Sequence, residues 1–139
     1  MTRREASFIS QARVGHLATV DEHGHPLNVP FCFAFDGECL YSPIDDKPKG
    51  VPPRNLKRVR NIRANPYVSA TVHRYDDDDW SQLAHVIIQG KAGIITHGED
   101  HRKAVQLLSE KYPQYRVMAL DKKPIIQIHV VRCICWGNV

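Results

Sequence analysis

The 139-residue sequence contains no run approaching the ~20 uninterrupted apolar residues that a membrane-crossing helix requires. Its opening, Met1-Thr-Arg-Arg-Glu, lacks the apolar core of a secretory signal, so a cytoplasmic protein that does not engage membranes is expected. Cysteines number only four, Cys32, Cys39, Cys133 and Cys135, and none are spaced as C-x-x-C, which argues against a zinc ribbon or a dithiol redox centre. Cys133 and Cys135 fall on one face of a strand at a spacing that strains a disulfide, so buried free thiols are expected. The eight histidines show no H-x-x-x-H pair within a helix, and His97 and His101 are four apart only across a strand end, so no metal site is predicted. Aromatic residues make up 8% and do not interleave with the basic residues, which leaves a nucleic acid without stacking partners. There is no glycine-rich phosphate loop, no nucleophile elbow and no evident acid/base pair, so any chemistry is expected to belong to a bound cofactor.

What is present describes one globular domain over residues 1–139, with 42% apolar and 24% charged residues. A short amphipathic helix precedes Gly15, and His16–Val20 reads as a strand entering the turn Asp21-Glu-His-Gly24. A second strand is predicted over Pro26–Phe35. Asp36-Gly37 marks a tight hairpin to Glu38–Tyr41. Four prolines interrupt residues 43–53, and Pro53 opens a helix through Arg63 that Asn65-Pro66 stops. Further strands are predicted over Tyr67–Val72, Leu83–Thr96 and Ile125–Val131, with a second amphipathic helix over Glu99–Tyr112. Gly90 and Gly93 mark bends in the long strand. The pattern is mostly β, a six-stranded antiparallel barrel with peripheral helices.

The densest chemical signal is Lys47-Pro-Lys49 followed by Arg54, Lys57, Arg58, Arg60 and Arg63, within a formal charge of +4. A stiff basic loop feeding a cationic helix suits a phosphate, because the helix start and the side-chain heads favour anions together. The plain alternative is a solvated basic face. A long polyanion is disfavoured by the acidic block Asp76–Asp79.

The order of strand, hairpin, basic loop, basic helix, Asn-Pro, strand and glycine-bent strand resembles the split-barrel flavoproteins related to pyridoxamine 5′-phosphate oxidase. The carrying residues are Gly15–Val20, Gly24-His-Pro26, Phe33–Gly37, Lys47-Pro-Lys49, Leu56–Ile62, Asn65-Pro66 and Tyr75–Trp80. Lys47-Pro-Lys49 and the Tyr-Asp-rich-Trp loop are similar to a subgroup described as using the deazaflavin coenzyme F420. The resemblance implies an FMN-binding split-barrel fold, a homodimer, and hydride transfer between F420 or FMN and a small organic substrate. By similarity Lys57 and Arg58 hold the cofactor phosphate, and Lys47 and Lys49 a phosphate or the acidic tail of F420. Asn28, Val29, Pro30 and Phe31 lie against the ring, and His85 and Trp80 complete the implied cofactor-binding set. The cations exceed what one FMN phosphate uses, which favours F420. His85 replaces a ring-contacting glutamine of the oxidase, and Val131–Trp136 does not match the oxidase's substrate-binding Arg-Trp segment, so pyridoxamine phosphate oxidation is not expected. A flavin store or sensor without turnover, and a haem-handling member of the fold, are the rival readings.

Overall fold

The structure, a computed structural model, describes residues 1–44 and 56–139. Helix α1 spans Arg3–Gln11 and begins at a reciprocal cap: the Glu5 N–H donates to the Thr2 side chain, and the Thr2 N–H to the Glu5 carboxylate. Strands β1 (Gly15–Val20), β2 (Pro26–Phe31), β3 (Ala34–Phe35) and β4 (Cys39–Pro43) follow, then α2 (Lys57–Ala64) and β5 (Tyr67–Arg74). Strand β6 (Ala84–Ile95), helix α3 (Glu99–Lys111) and strand β7 (Ile125–Gly137) complete the regular elements. Single 3₁₀ turns occupy Trp80–Gln82, Pro113–Val117 and Leu120–Lys122.

The seven strands among the described residues form one antiparallel sheet in the order β2-β1-β5-β6-β7-β4-β3. It curls into a split barrel of the predicted class, with one strand more than the six expected. The extra strand arises because Pro26–Phe35 is not continuous. The chain leaves the sheet at Cys32 and Phe33, and its two halves lie at opposite edges. The sheet bends where β6 and β7 fall out of step: Gln89 faces Arg132 and Gly90 faces Val130, leaving Val131 as the extra residue of a bulge. Of the two glycines expected to bend this strand, Gly90 lies at the bulge, while Gly93 continues the regular register. Strand β7 runs to Gly137, six residues beyond its predicted end, because β6 offers partners along its whole length.

The concave face carries the main core, in which Leu17, Phe33, Val86, Ile88 and Ile128 meet Ile9 of α1 and Val59 and Ile62 of α2. The Asn61 side chain is buried there and donates to the Thr19 hydroxyl at 3.0 Å, so that α2 packs on β1 without an unsatisfied polar group. A second cluster sets Ala104 and Leu108 of α3, and Tyr112 just past its end, against Ala34, Tyr41 and Ile125. Helix α3 is also held electrostatically. Lys103 reaches Asp36 at 2.7 Å, and Asp36 accepts from the Tyr41 hydroxyl and from the N–H groups of Glu38 and Cys39. Those two N–H bonds place Gly37 and Glu38 at the tip of the β3–β4 hairpin, one residue later than expected, with Gly37 at φ +101°. Among the histidines, His101 is buried, with its ring Nε2 2.7 Å from the Lys123 carbonyl oxygen. Only Cys39 of the four free thiols is fully buried.

Two outcomes test this packing. A Cβ on Gly90 would stand 2.4 Å from the His129 carbonyl oxygen, whereas one on Gly93 meets nothing within 4 Å. Gly90→Ala should therefore lower unfolding free energy in urea by about 1–3 kcal/mol, while Gly93→Ala is near neutral or slightly stabilising. Burial opposes ionisation of Asp36, but Lys103, the two N–H donors and Tyr41 outweigh it and bring the carboxyl down to about 2. Stability from a depressed carboxyl is complete above the ordinary value of 3.8 and is lost as pH falls toward 2. Acid titration of the melting temperature should show this loss in the wild type and a shallower one in Asp36→Asn.

Candidate functional site

Strand β2 is an edge strand, and Pro26 and Pro30 remove two N–H groups from it, a composition tolerated at a sheet edge. The curl of the sheet brings this edge to β4, five places away in the strand order. The seam is bonded, since the Ser42 hydroxyl donates to the Cys32 carbonyl at 2.7 Å. A cavity of about 330 Å³ lies along it. Its described lining is Val29, Pro30 and Phe31 of β2, Cys32, Val14, Ser42 and Pro43 of β4, Arg58 of α2, and Tyr115. The groove thus joins an apolar wall to a polar rim of Ser42 and Tyr115, with one guanidinium beside it.

Four residues expected at the cofactor, Val29, Pro30, Phe31 and Arg58, meet in this groove. Asn28 is exposed on β2, opposite Ala18. Lys57 does not line the groove, because adjacent helical residues point about 100° apart. Its ammonium reaches the Asp21 carboxylate at 3.5 Å. The His25 N–H, then the His23 N–H, the His25 ring and Lys57 outweigh a burial penalty and hold Asp21 at about 2. Lys47 and Lys49 lie outside the described residues. His85 and Trp80 do not line the groove of their own chain: His85 stacks on Trp136 with ring centroids 5.4 Å apart, and Trp80 stands exposed in its 3₁₀ turn.

Val14, Cys32, Ser42, Pro43 and Tyr115 also line the groove and were not singled out from the sequence. The legible part of that signal was Pro43, which ends a strand. Behind the wall, residues 12–14 and 32–33 belong to no strand, so their backbone polar groups need other partners. Lys111 and Tyr112, at the end of α3, supply them. The Lys111 ammonium donates to the carbonyls of Ala12 and Phe33 at 2.6 and 2.8 Å. The Tyr112 hydroxyl accepts from the Phe33 N–H at 3.1 Å and donates to the Arg13 carbonyl at 2.8 Å. The Arg13 guanidinium returns a bond to the Lys111 carbonyl at 2.9 Å. Burial, then the nearby Arg13 charge, draw Lys111 down to about 8, with Cys32 acting in the opposite sense.

The convex face carries a separate feature. Cross-strand register aligns Pro30 with His16, His16 with Thr71, His73 with His85, and His85 with Trp136. Beside this row lies an apolar hollow of about 380 Å³ whose lining includes Ala18, Val20, Tyr67 and Val131. Tyr67, Val131 and Trp136 are 62%, 68% and 55% exposed. Among the described residues no three His, Cys, Asp or Glu side chains gather as a metal cage.

The fold finds counterparts in known proteins. The sequence is 28% identical over 136 residues to a 5a,11a-dehydrotetracycline/5a,11a-dehydrooxytetracycline reductase of Streptomyces rimosus, covering 98% of this chain and 82% of the relative. The crystal structure of a conserved hypothetical protein from Mycobacterium tuberculosis is similar with a TM-score of 0.76 at 24% identity, covering 99% of this chain and 85% of that one. An FAD-binding protein from Mesorhizobium loti is similar with a TM-score of 0.69 at 21% identity, covering 97% of this chain and 94% of that one. The family model described as pyridoxamine 5′-phosphate oxidase matches residues 1–136, nearly the whole chain, and the protein belongs to that family.

Proposed function

We propose that the groove binds a flavin-type cofactor, FMN or the deazaflavin F420, and that the protein is an oxidoreductase acting on a small organic substrate. The observation that carries this reading is the meeting of Val29, Pro30 and Phe31 from a sheet edge with Arg58 from a helix in one slot. The residues fit such a group: an apolar wall suits a flat ring system, and a guanidinium suits a phosphate bidentately. When bound, the cofactor would supply hydride transfer. The chain's own part is to orient the ring on the β2 backbone, anchor the phosphate with Arg58 and exclude water with Phe31 and Val29. The reductase named above supports a reductive direction, and the FAD-binding structure supports a flavin. F420 remains the favoured member of the pair, because Lys47 and Lys49 are cations beyond those one FMN phosphate would use.

A homodimer is part of the same proposal. A cavity of about 330 Å³ is at the small end for ligand sites, so one chain encloses only part of a three-ring phosphate. The exposed Tyr67 and Val131 share an apolar hollow on the convex face, with Trp136 exposed further along the same sheet, and a second copy would cover this side. His85 and Trp80, which miss their own chain's groove, would then be free to contribute to the partner's.

The absorption spectrum and mass of the copurifying cofactor test the central claim, with flavin or deazaflavin bands expected and haem bands sinking it. Arg58→Ala should weaken FMN or F420 binding by roughly tenfold to a hundredfold, corresponding to ~1.5–3 kcal/mol for a charge-assisted bond, while Lys57→Ala has the smaller effect. Sedimentation and cofactor fluorescence over one dilution series should lose dimer and bound cofactor together. Full affinity in a demonstrated monomer would remove the dimeric site.

A further inference from the structure

We propose that Lys111 is a positioning residue for the groove, fixing the Val14 and Cys32 walls through the carbonyls of Ala12 and Phe33, so that the strength of cofactor binding depends on the Lys111 proton. This inference rests on the flavin reading above for its ligand, and on the fold alone for its geometry.

Lys111 Nζ contacts two carbonyls from segments that have no strand partner, and each carbonyl lies within two residues of a groove-lining side chain. The ammonium also stands 4.2 Å from the centroid of the Phe33 ring and 5.3 Å from that of Tyr112. Phe33 in turn stacks on Phe31, a groove wall, at 5.1 Å. One side chain therefore sets the backbone and the rings behind one side of the groove. A half-buried lysine is uncommon unless its charge is used.

The charged or titratable groups around it are Arg13 before β1, Cys32 after β2, Tyr112 beside it in sequence, and Tyr115, which packs edge-on against Tyr112. With burial, Arg13 brings the ammonium down to about 8. An anionic ligand in the groove adds an opposite charge close behind Cys32 and favours the protonated amine. Below about pH 8 the cation is already present and affinity is steady. Above it, binding has to take up a proton, and affinity falls with a limiting slope of tenfold per pH unit.

The test measures the FMN and F420 dissociation constants from pH 6.5 to 9.5 for the wild type, Lys111→Met and Lys111→Arg, with circular dichroism to confirm folding. The wild type should hold its affinity to about pH 7.5 and lose several-fold by pH 9. Lys111→Met should bind more weakly at pH 7 with a flat profile over this range, and Lys111→Arg, charged throughout, should also be flat. In parallel, amide resonances of Arg13, Val14 and Phe33 are followed in the ligand-free protein over the same range. They should titrate near pH 8 in the wild type and not in Lys111→Met. Absence of FMN and F420 binding at every pH would sink the cofactor reading, and the amide titration would still decide whether Lys111 governs the wall. Amides that do not titrate, or a Lys111→Met profile matching the wild type, would overturn the proposal, and the wild-type titration decides it even if Lys111→Met does not fold.

Discussion

The bend of the β6–β7 ribbon at Gly90 is the constraint on which the groove depends. A seven-stranded antiparallel sheet left flat would keep β2 and β4 far apart, because three of the four strands between them, β5, β6 and β7, are long. The bulge at Gly90 and Val131 tightens the local twist and turns the ribbon, and the approach of the two backbones leaves no room for a side chain there. The Ser42–Cys32 bond, just beyond the Ala34–Tyr41 pair of the β3–β4 hairpin, ties the seam at β4. The same curl divides the sheet's surfaces, with the apolar core inside and the histidine row and apolar hollow outside.

Closing a barrel this way leaves two connecting segments, one entering β1 and one crossing from β2 to β3, outside the ladder. Residues 12–14 and 32–33 lose ladder partners just where the groove needs a firm wall. Their polar groups are satisfied by the side chains of Lys111 and Tyr112, so helix α3 supports the groove through its last turn. Helix α3 is itself seated by Lys103 on Asp36 and by Leu108 and Ala104 in the second core cluster. Stability of the hairpin at Asp36 and order at the groove are therefore linked through one helix.

Much of this was legible in the residues. The helix over Glu99, the strands at His16 and Tyr67, the bulge at Gly90 and the acidic loop before Trp80 follow from periodicity, proline and glycine, all of which act locally. Val29, Pro30, Phe31 and Arg58 were identified through family resemblance, and the fold brings these four together. The split of Pro26–Phe35 was not legible, because the bonds that take Phe33 out of the sheet come from residues about 80 positions later. Nor was the difference between Lys57 and Arg58. Both are cations in a cationic run, and only the orientation of α2 on β1 sends one to Asp21 and the other to the groove.

The class of fold, the order of its elements and the stock of cations and apolar strand residues available to a phosphate-bearing ligand follow from the residues read in order. Local backbone preferences and side-chain alternation are enough for that, since each acts over a few residues. Tertiary structure alone decided which cations face the groove, which edge strands meet, and that a lysine at the end of α3 would be half-buried behind the groove wall. Those outcomes depend on the sheet's curvature and on side chains distant in sequence finding unpaired backbone groups, and neither is written in any short stretch of the chain.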